Sequence, residues 1–120
     1  MMDKTGQLAL TALENMKAQN ITTLDVTGLS DVMDTLLIAT GTSNRHVKSL
    51  ASNVVDELKE HGHHPIGVEG MDSADWVLVD YGTIVVHVML PQTRQFYDLE
   101  RLWSPIDEST ESSESGQDSE

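Results

Sequence analysis

The chain has no cysteine, which excludes a disulfide framework, a thiolate metal site and a cysteine nucleophile, and makes a cytoplasmic setting the expectation. Basic residues are scarce: seven Lys and Arg stand against twenty Asp and Glu, for a formal net charge of −13. A surface of that sign repels phosphate backbones, so a nucleic-acid-binding groove is not expected. Long apolar runs are missing as well. None reaches the roughly 18 residues needed to span a bilayer, and the stretch from Met1 to Thr11 lacks a basic head followed by an apolar core, so the reading is a soluble protein without a secretory leader. A length of 120 residues leaves no room for two sizeable cores, which excludes a multidomain enzyme.

The charge that is present is unevenly spread. Ser104–Glu120 holds six of the twenty acidic residues and no basic one, and Ile106 is its only large apolar side chain. Such a segment buries too little surface to offset the entropy of ordering it. The expected organisation is therefore one domain over 1–103 and an acidic, disordered tail over 104–120. A solvated tail that aids solubility is the simpler reading; a lure for a basic partner or a phosphorylation segment is the functional alternative.

Within the domain, Leu8, Ala9, Ala12, Leu13 and Met16 recur at helical spacing, with Thr5 as a cap, and predict a helix over about Thr5 to Gln19. Ile21 to Thr27 alternates like a strand, and Thr35 to Thr40 is a short apolar run that suits a central strand covered on both faces. Val47, Leu50, Ala51, Val54, Val55 and Leu58 form one stripe of a second helix, capped by Ser43 or Asn44 and closed by Gly62. A short strand near Pro65 to Val68 follows. Trp76–Asp80 and Ile84–Met89 then flank Tyr81-Gly82-Thr83 and predict an antiparallel hairpin. Pro91 opens a last helix whose Phe96, Leu99, Leu102 and Trp103 face inward. A strand, helix, strand step beside hairpins implies an α/β fold, a mixed sheet flanked by helices.

Chemistry is harder to find. Gly41-Thr42-Ser43-Asn44 precedes a helix but lacks the lysine and extra glycines of a phosphate loop, so capping explains it better. His61, His63 and His64 show no established metal-ligand spacing and read as solvated. His87 alternates with apolar neighbours and is either a general base or a hydrogen-bonded, half-buried residue. Asp72, Asp75 and Asp80 have no cationic partners nearby for nucleotide chemistry, Asp31 and Asp34 read as turn residues, and no Gly-x-Ser-x-Gly elbow occurs. No catalytic residue, metal or cofactor is expected. What remains is Trp76 and Tyr81 at the ends of one strand among Asp72, Asp75 and Asp80, either core residues or interface anchors.

Five blocks in one register carry more information: Gly41-Thr42-Ser43-Asn44-Arg45-His46-Val47, Gly67-Val68-Glu69-Gly70, Ser73-Ala74-Asp75-Trp76-Val77-Leu78-Val79-Asp80-Tyr81-Gly82, Val85-Val86-His87-Val88-Met89 and Arg94-Gln95-Phe96-Tyr97-Asp98-Leu99-Glu100-Arg101-Leu102-Trp103. Together they resemble the ribosomal silencing factor (RsfS, Iojap) family, from Leu8 to Ser104, with the acidic tail outside the match. The resemblance implies a nucleotidyltransferase-like fold without that fold's catalytic acids, and a cytoplasmic translational repressor rather than an enzyme. It further implies binding to the large ribosomal subunit through large-subunit ribosomal protein fourteen, a block on small-subunit joining under nutrient limitation, and self-association, as a homodimer, of the free protein. An acidic domain suits a basic ribosomal protein better than ribosomal RNA. Position and resemblance together nominate Trp76 and Tyr81 as anchors, with Asp75, Asp80 and Glu100 supplying charge. The competing reading is a nucleotidyltransferase-type enzyme or nucleotide-binding protein using Ser43 and Asp80. It lacks a second strand acid two residues from Asp80, where Leu78 and Gly82 stand instead.

Overall fold

The computed structural model describes residues 3–103, and its elements follow the apolar periodicities of the chain: α1 (Lys4–Asn15), β1 (Gln19–Asp25), β2 (Thr35–Thr40), α2 (Asn44–Glu60), β3 (Gly67–Glu69), β4 (Trp76–Asp80), β5 (Ile84–Met89), α3 (Pro91–Tyr97) and α4 (Leu99–Trp103). The acidic segment read as a tail lies outside the described residues. The strands form one sheet in the order β1-β2-β5-β4-β3. Only β2 and β5 are parallel; the other three pairings are antiparallel. This is the mixed α/β sheet expected. The crossover through α2 does return β3 in the direction of β2, but at the far edge, with β5 and β4 in between.

Both faces of the sheet carry apolar side chains, and they are covered differently. On one face Leu37, Ala39, Val77, Val79, Val86 and Val88 lie beneath Ala9, Ala12 and Leu13 of α1 and Val47, Leu50, Val54 and Leu58 of α2. Leu36, Ile38, Val85 and Met89 point to the other face, where Val26, Met33 and Leu99 cover them and Leu24, Trp76, Leu78 and Trp103 complete the cluster. With cover on both sides, β2 and β5 read as continuous apolar runs.

Local chemistry fixes the helix ends. Asp3, not Thr5, caps α1, its Oδ1 accepting from the Gly6 N–H at 3.0 Å. Between the two candidates for α2, Ser43 is the cap and accepts from the His46 N–H at 3.1 Å. Asn44 instead donates to the carbonyls of Ser73 and Ala74. Gly41 allows α2 to start close to β2: a Cβ there would lie 2.7 Å from Val47 Cγ2 and 2.9 Å from its amide nitrogen. Two strands shift against expectation. β1 starts at Gln19, with an irregular register between Gln19 and Thr22, and β3 runs Gly67–Glu69.

The last helix differs most. Asp98 adopts a left-handed conformation (φ 49°, ψ 56°) and splits it into α3 and α4. Leu99 is buried and Trp103 half-buried, but Phe96 and Leu102 are 80% and 71% exposed. The expected inward stripe of four is thus broken: the left-handed residue at Asp98 puts Phe96 of α3 out of phase with Leu99, and within α4 Leu99 and Trp103 turn inward while Leu102 does not. Aspartate is among the few non-glycine residues that tolerate this region.

Candidate functional site

Strand alternation decides which side chains can meet. Trp76, Leu78 and Asp80 of β4 share a face with Met89, His87 and Val85 of β5, their cross-strand partners. That is the face opposite α1 and α2. Trp76 Nε1 donates to His87 Nδ1 at 2.8 Å, and the indole packs against Tyr97 of α3 with centroids 4.7 Å apart. Tyr97 in turn meets Phe96 edge-on at 5.0 Å. The three rings climb from the sheet into solvent, Trp76 half-buried, Tyr97 and Phe96 exposed. Tyr97, Asp98, Arg101 and Leu102 line a shallow depression beside them. Aromatic groups exposed in a cluster, with charged residues around them, are the composition of a protein-binding surface.

α3 and α4 are held in place by a polar clamp. Arg94 donates from Nε to Glu100 Oε1 at 3.0 Å and from Nη2 to Oε2 at 2.9 Å, a bidentate pair. The same guanidinium reaches Thr40 Oγ1 at 2.9 Å, Thr22 Oγ1 at 2.8 Å and the Asn20 carbonyl. The Thr22 hydroxyl in turn donates to Glu100 Oε2 at 3.2 Å. These bonds tie the short helices to the start of β1 and the end of β2. The Arg94 hydrogen bonds hold the Glu100 carboxyl below the usual carboxylate range.

Of the residues nominated from sequence, Trp76, Asp75 and Asp80 lie on or beside this face. Asp75 is exposed and accepts from Ser73 Oγ at 2.9 Å. Asp80 is half-buried and accepts from the Gly82 N–H at 2.8 Å, closing the hairpin turn. Tyr81 is not brought together with Trp76. It stands an odd number of residues away and packs against the helix-covered core. Its hydroxyl is buried with no hydrogen-bond partner among the described residues, and burial pushes its pKa up to about 12. Glu100 is turned inward to Arg94 rather than outward. His87 is hydrogen-bonded, as one of its two readings expected, but buried rather than half-buried; burial lowers its pKa to about 4.

Sequence reasoning missed Arg94, Phe96 and Tyr97. Phe96 and Tyr97 are adjacent, and neighbours on a helix diverge by about 100°, so both could not have faced one core. Arg94 and Glu100 are six apart, a spacing that does not pair side chains on one unbroken helix.

Polar side chains around the ends of α2 are engaged within the fold. His46 accepts from the Thr42 N–H at Nδ1 and donates from Nε2 to the Met16 carbonyl at 2.8 Å, joining α2 to the end of α1. His61 bonds the Glu57 carbonyl, and Ser43 is spent as a cap. Among the described residues no group of three or more His, Asp or Glu could hold a metal ion, and no helix is long and apolar enough to cross a membrane.

Comparison with known proteins places these features in a family context. The family model described as "Ribosomal silencing factor during starvation" matches residues 2–120. A Chromobacterium violaceum protein named ribosomal silencing factor RsfS is 47% identical over 102 residues, covering 85% of this chain and 84% of its own. The crystal structure of a Chromobacterium violaceum protein superposes with a TM-score of 0.84 at 45% identity, covering 88% of this chain and 90% of that one. At greater distance, a Mus musculus protein named mitochondrial assembly of ribosomal large subunit protein 1 is 34% identical, over 81% of this chain and 44% of its own length.

Proposed function

The chain belongs to the ribosomal silencing factor (RsfS) family, and from that premise we propose that it binds the large ribosomal subunit through large-subunit ribosomal protein fourteen and sterically blocks joining of the small subunit. It acts in the cytoplasm as a stoichiometric repressor of translation when nutrients are limiting, without catalysis, and self-associates when free of the ribosome. The observation that carries the reading is the family match across residues 2–120. The name of the mouse relative, which refers to the large subunit, agrees with the choice of subunit.

Chemistry supports the choice of a protein surface as the partner. A chain of net charge −13 is attracted to a basic ribosomal protein and repelled by exposed phosphates. Trp76, Tyr97, Phe96 and Leu102 supply apolar area on one side of the sheet, and Asp75 and Asp80 place carboxylates on and beside it. Tyr81 supports this face from the opposite side of the sheet, and Glu100 acts through Arg94 by fixing α4.

Co-sedimentation tests the reading. The protein should pellet with isolated large subunits and not with small subunits; equal recovery with both, or with neither, would contradict it. Calorimetry with ATP and magnesium addresses the enzymatic competitor, and no saturable heat is expected.

A further inference from the structure

The docking face proposed above depends on how one indole is held. Trp76 is an end residue of β4, only half-buried, and an aromatic side chain at such a position has several rotamers open to it. In the structure it has one, set by two contacts: the tilted packing on Tyr97, with centroids 4.7 Å apart, and the hydrogen bond from Nε1 to His87 Nδ1 at 2.8 Å. An indole N–H can only donate, so Nδ1 carries no proton, and His87 is the Nε2–H tautomer.

We propose that His87 is the positioning residue of the partner-binding face: its unprotonated Nδ1 fixes the Trp76 indole in the pose against which Tyr97 packs, with Phe96 edge-on to Tyr97 beyond it, and partner affinity depends on that acceptor.

The surroundings fit the role. Across the sheet His87 stands between Leu78 of β4 and Ile38 of β2, and Val85 and Met89 flank it on its own strand. The buried cluster of this face adds Leu36 and Leu99, with Trp103 packed against it. All are apolar. The charged residues of the elements on this face are Asp25 of β1, Glu69 of β3, Asp80 of β4, Arg94 of α3, Asp98 at the break and Glu100 and Arg101 of α4; Arg94 and Glu100 are bound to each other. Burial lowers the His87 pKa to about 4, which keeps the acceptor available near neutrality. A leucine would fill the site but leave the indole N–H unbonded; a glutamine could restore an acceptor oxygen.

The inference rests on the docking reading, and the test separates the two. The chain has two tryptophans, so Trp103→Phe leaves the Trp76 indole proton as a single resonance. In that background, His87→Leu should move the indole proton upfield, speed its exchange with water and weaken binding to isolated large subunits by about tenfold, while His87→Gln recovers part of each. A folded His87→Leu protein with unchanged affinity, beside a Trp76→Ala protein that has lost it, would overturn the positioning role and leave the docking face standing. Unchanged affinity in both would overturn both. Should His87→Leu fail to fold, titration of the parent protein decides: the indole proton should shift with a midpoint well below pH 6.5, together with the His87 ring signals, and an indole resonance indifferent to that titration would contradict the proposal.

Discussion

Trp76 contributes one edge to the sheet's second core and leaves the other exposed, a division that an aromatic with a polar N–H can sustain where a leucine could not. As a central anchor it should contribute strongly to binding: Trp76→Ala is expected to cost about 2 kcal/mol or more, roughly thirtyfold in affinity for isolated large subunits, with the fold retained. Equal affinity in a folded variant would remove it from the interface. His87 beside it predicts a pH dependence of stability. Folding lowers its pKa from the ordinary 6.5 to about 4, so the folded state holds fewer protons than the unfolded one between those values. Its contribution is therefore complete above pH 6.5 and is lost as pH falls toward 4. A melting-temperature profile should decline over that window, and His87→Gln should flatten the decline; parallel profiles for the two proteins would contradict the assignment.

α3 and α4 are too short to be stable alone, and the Arg94 clamp supplies what their length does not. Arg94 is mostly buried and Glu100 about one-third exposed, at 12% and 35% side-chain exposure. Arg94→Ala removes Glu100's guanidinium partner and the tie to Thr22 and Thr40, so a loss of about 2 kcal/mol in denaturant unfolding is expected, with weaker ribosome binding because Tyr97 and Phe96 lose their footing. A variant as stable as the parent would show the clamp to be incidental. This region also marks where the sequence stopped being readable. β2, β4 and β5 were legible to the residue because apolar runs bounded by Gly, Asp and Thr admit one length. The single closing helix was not, because Phe96, Leu99 and Leu102 fit a helical stripe until a left-handed Asp98 breaks it, and propensity alone does not forbid a helical Asp. Trp76 was legible as a candidate. That Tyr81 lies on the other face was implicit in the odd spacing along the strand, and that Glu100 turns inward depended on a partner across the break.

The molecule as a whole is an acidic domain whose sheet is covered by two long helices on one side and by short, clamped ones on the other. That asymmetry leaves one face with exposed aromatics, and the net charge of −13 belongs to the whole chain, its 104–120 segment included. Charge and apolar burial should separate kinetically: raising salt is expected to slow association with large subunits while changing dissociation little. Complete dissociation at moderate ionic strength would show that the aromatics do not hold the complex. The central claim is that this protein silences by occupying a surface and not by turnover. Light scattering of subunit joining, titrated with the protein, tests it most directly. Inhibition should saturate near one protein per large subunit and weaken in parallel with affinity in Trp76→Ala; full inhibition at a small fraction of that ratio, or none at saturating protein, would contradict it.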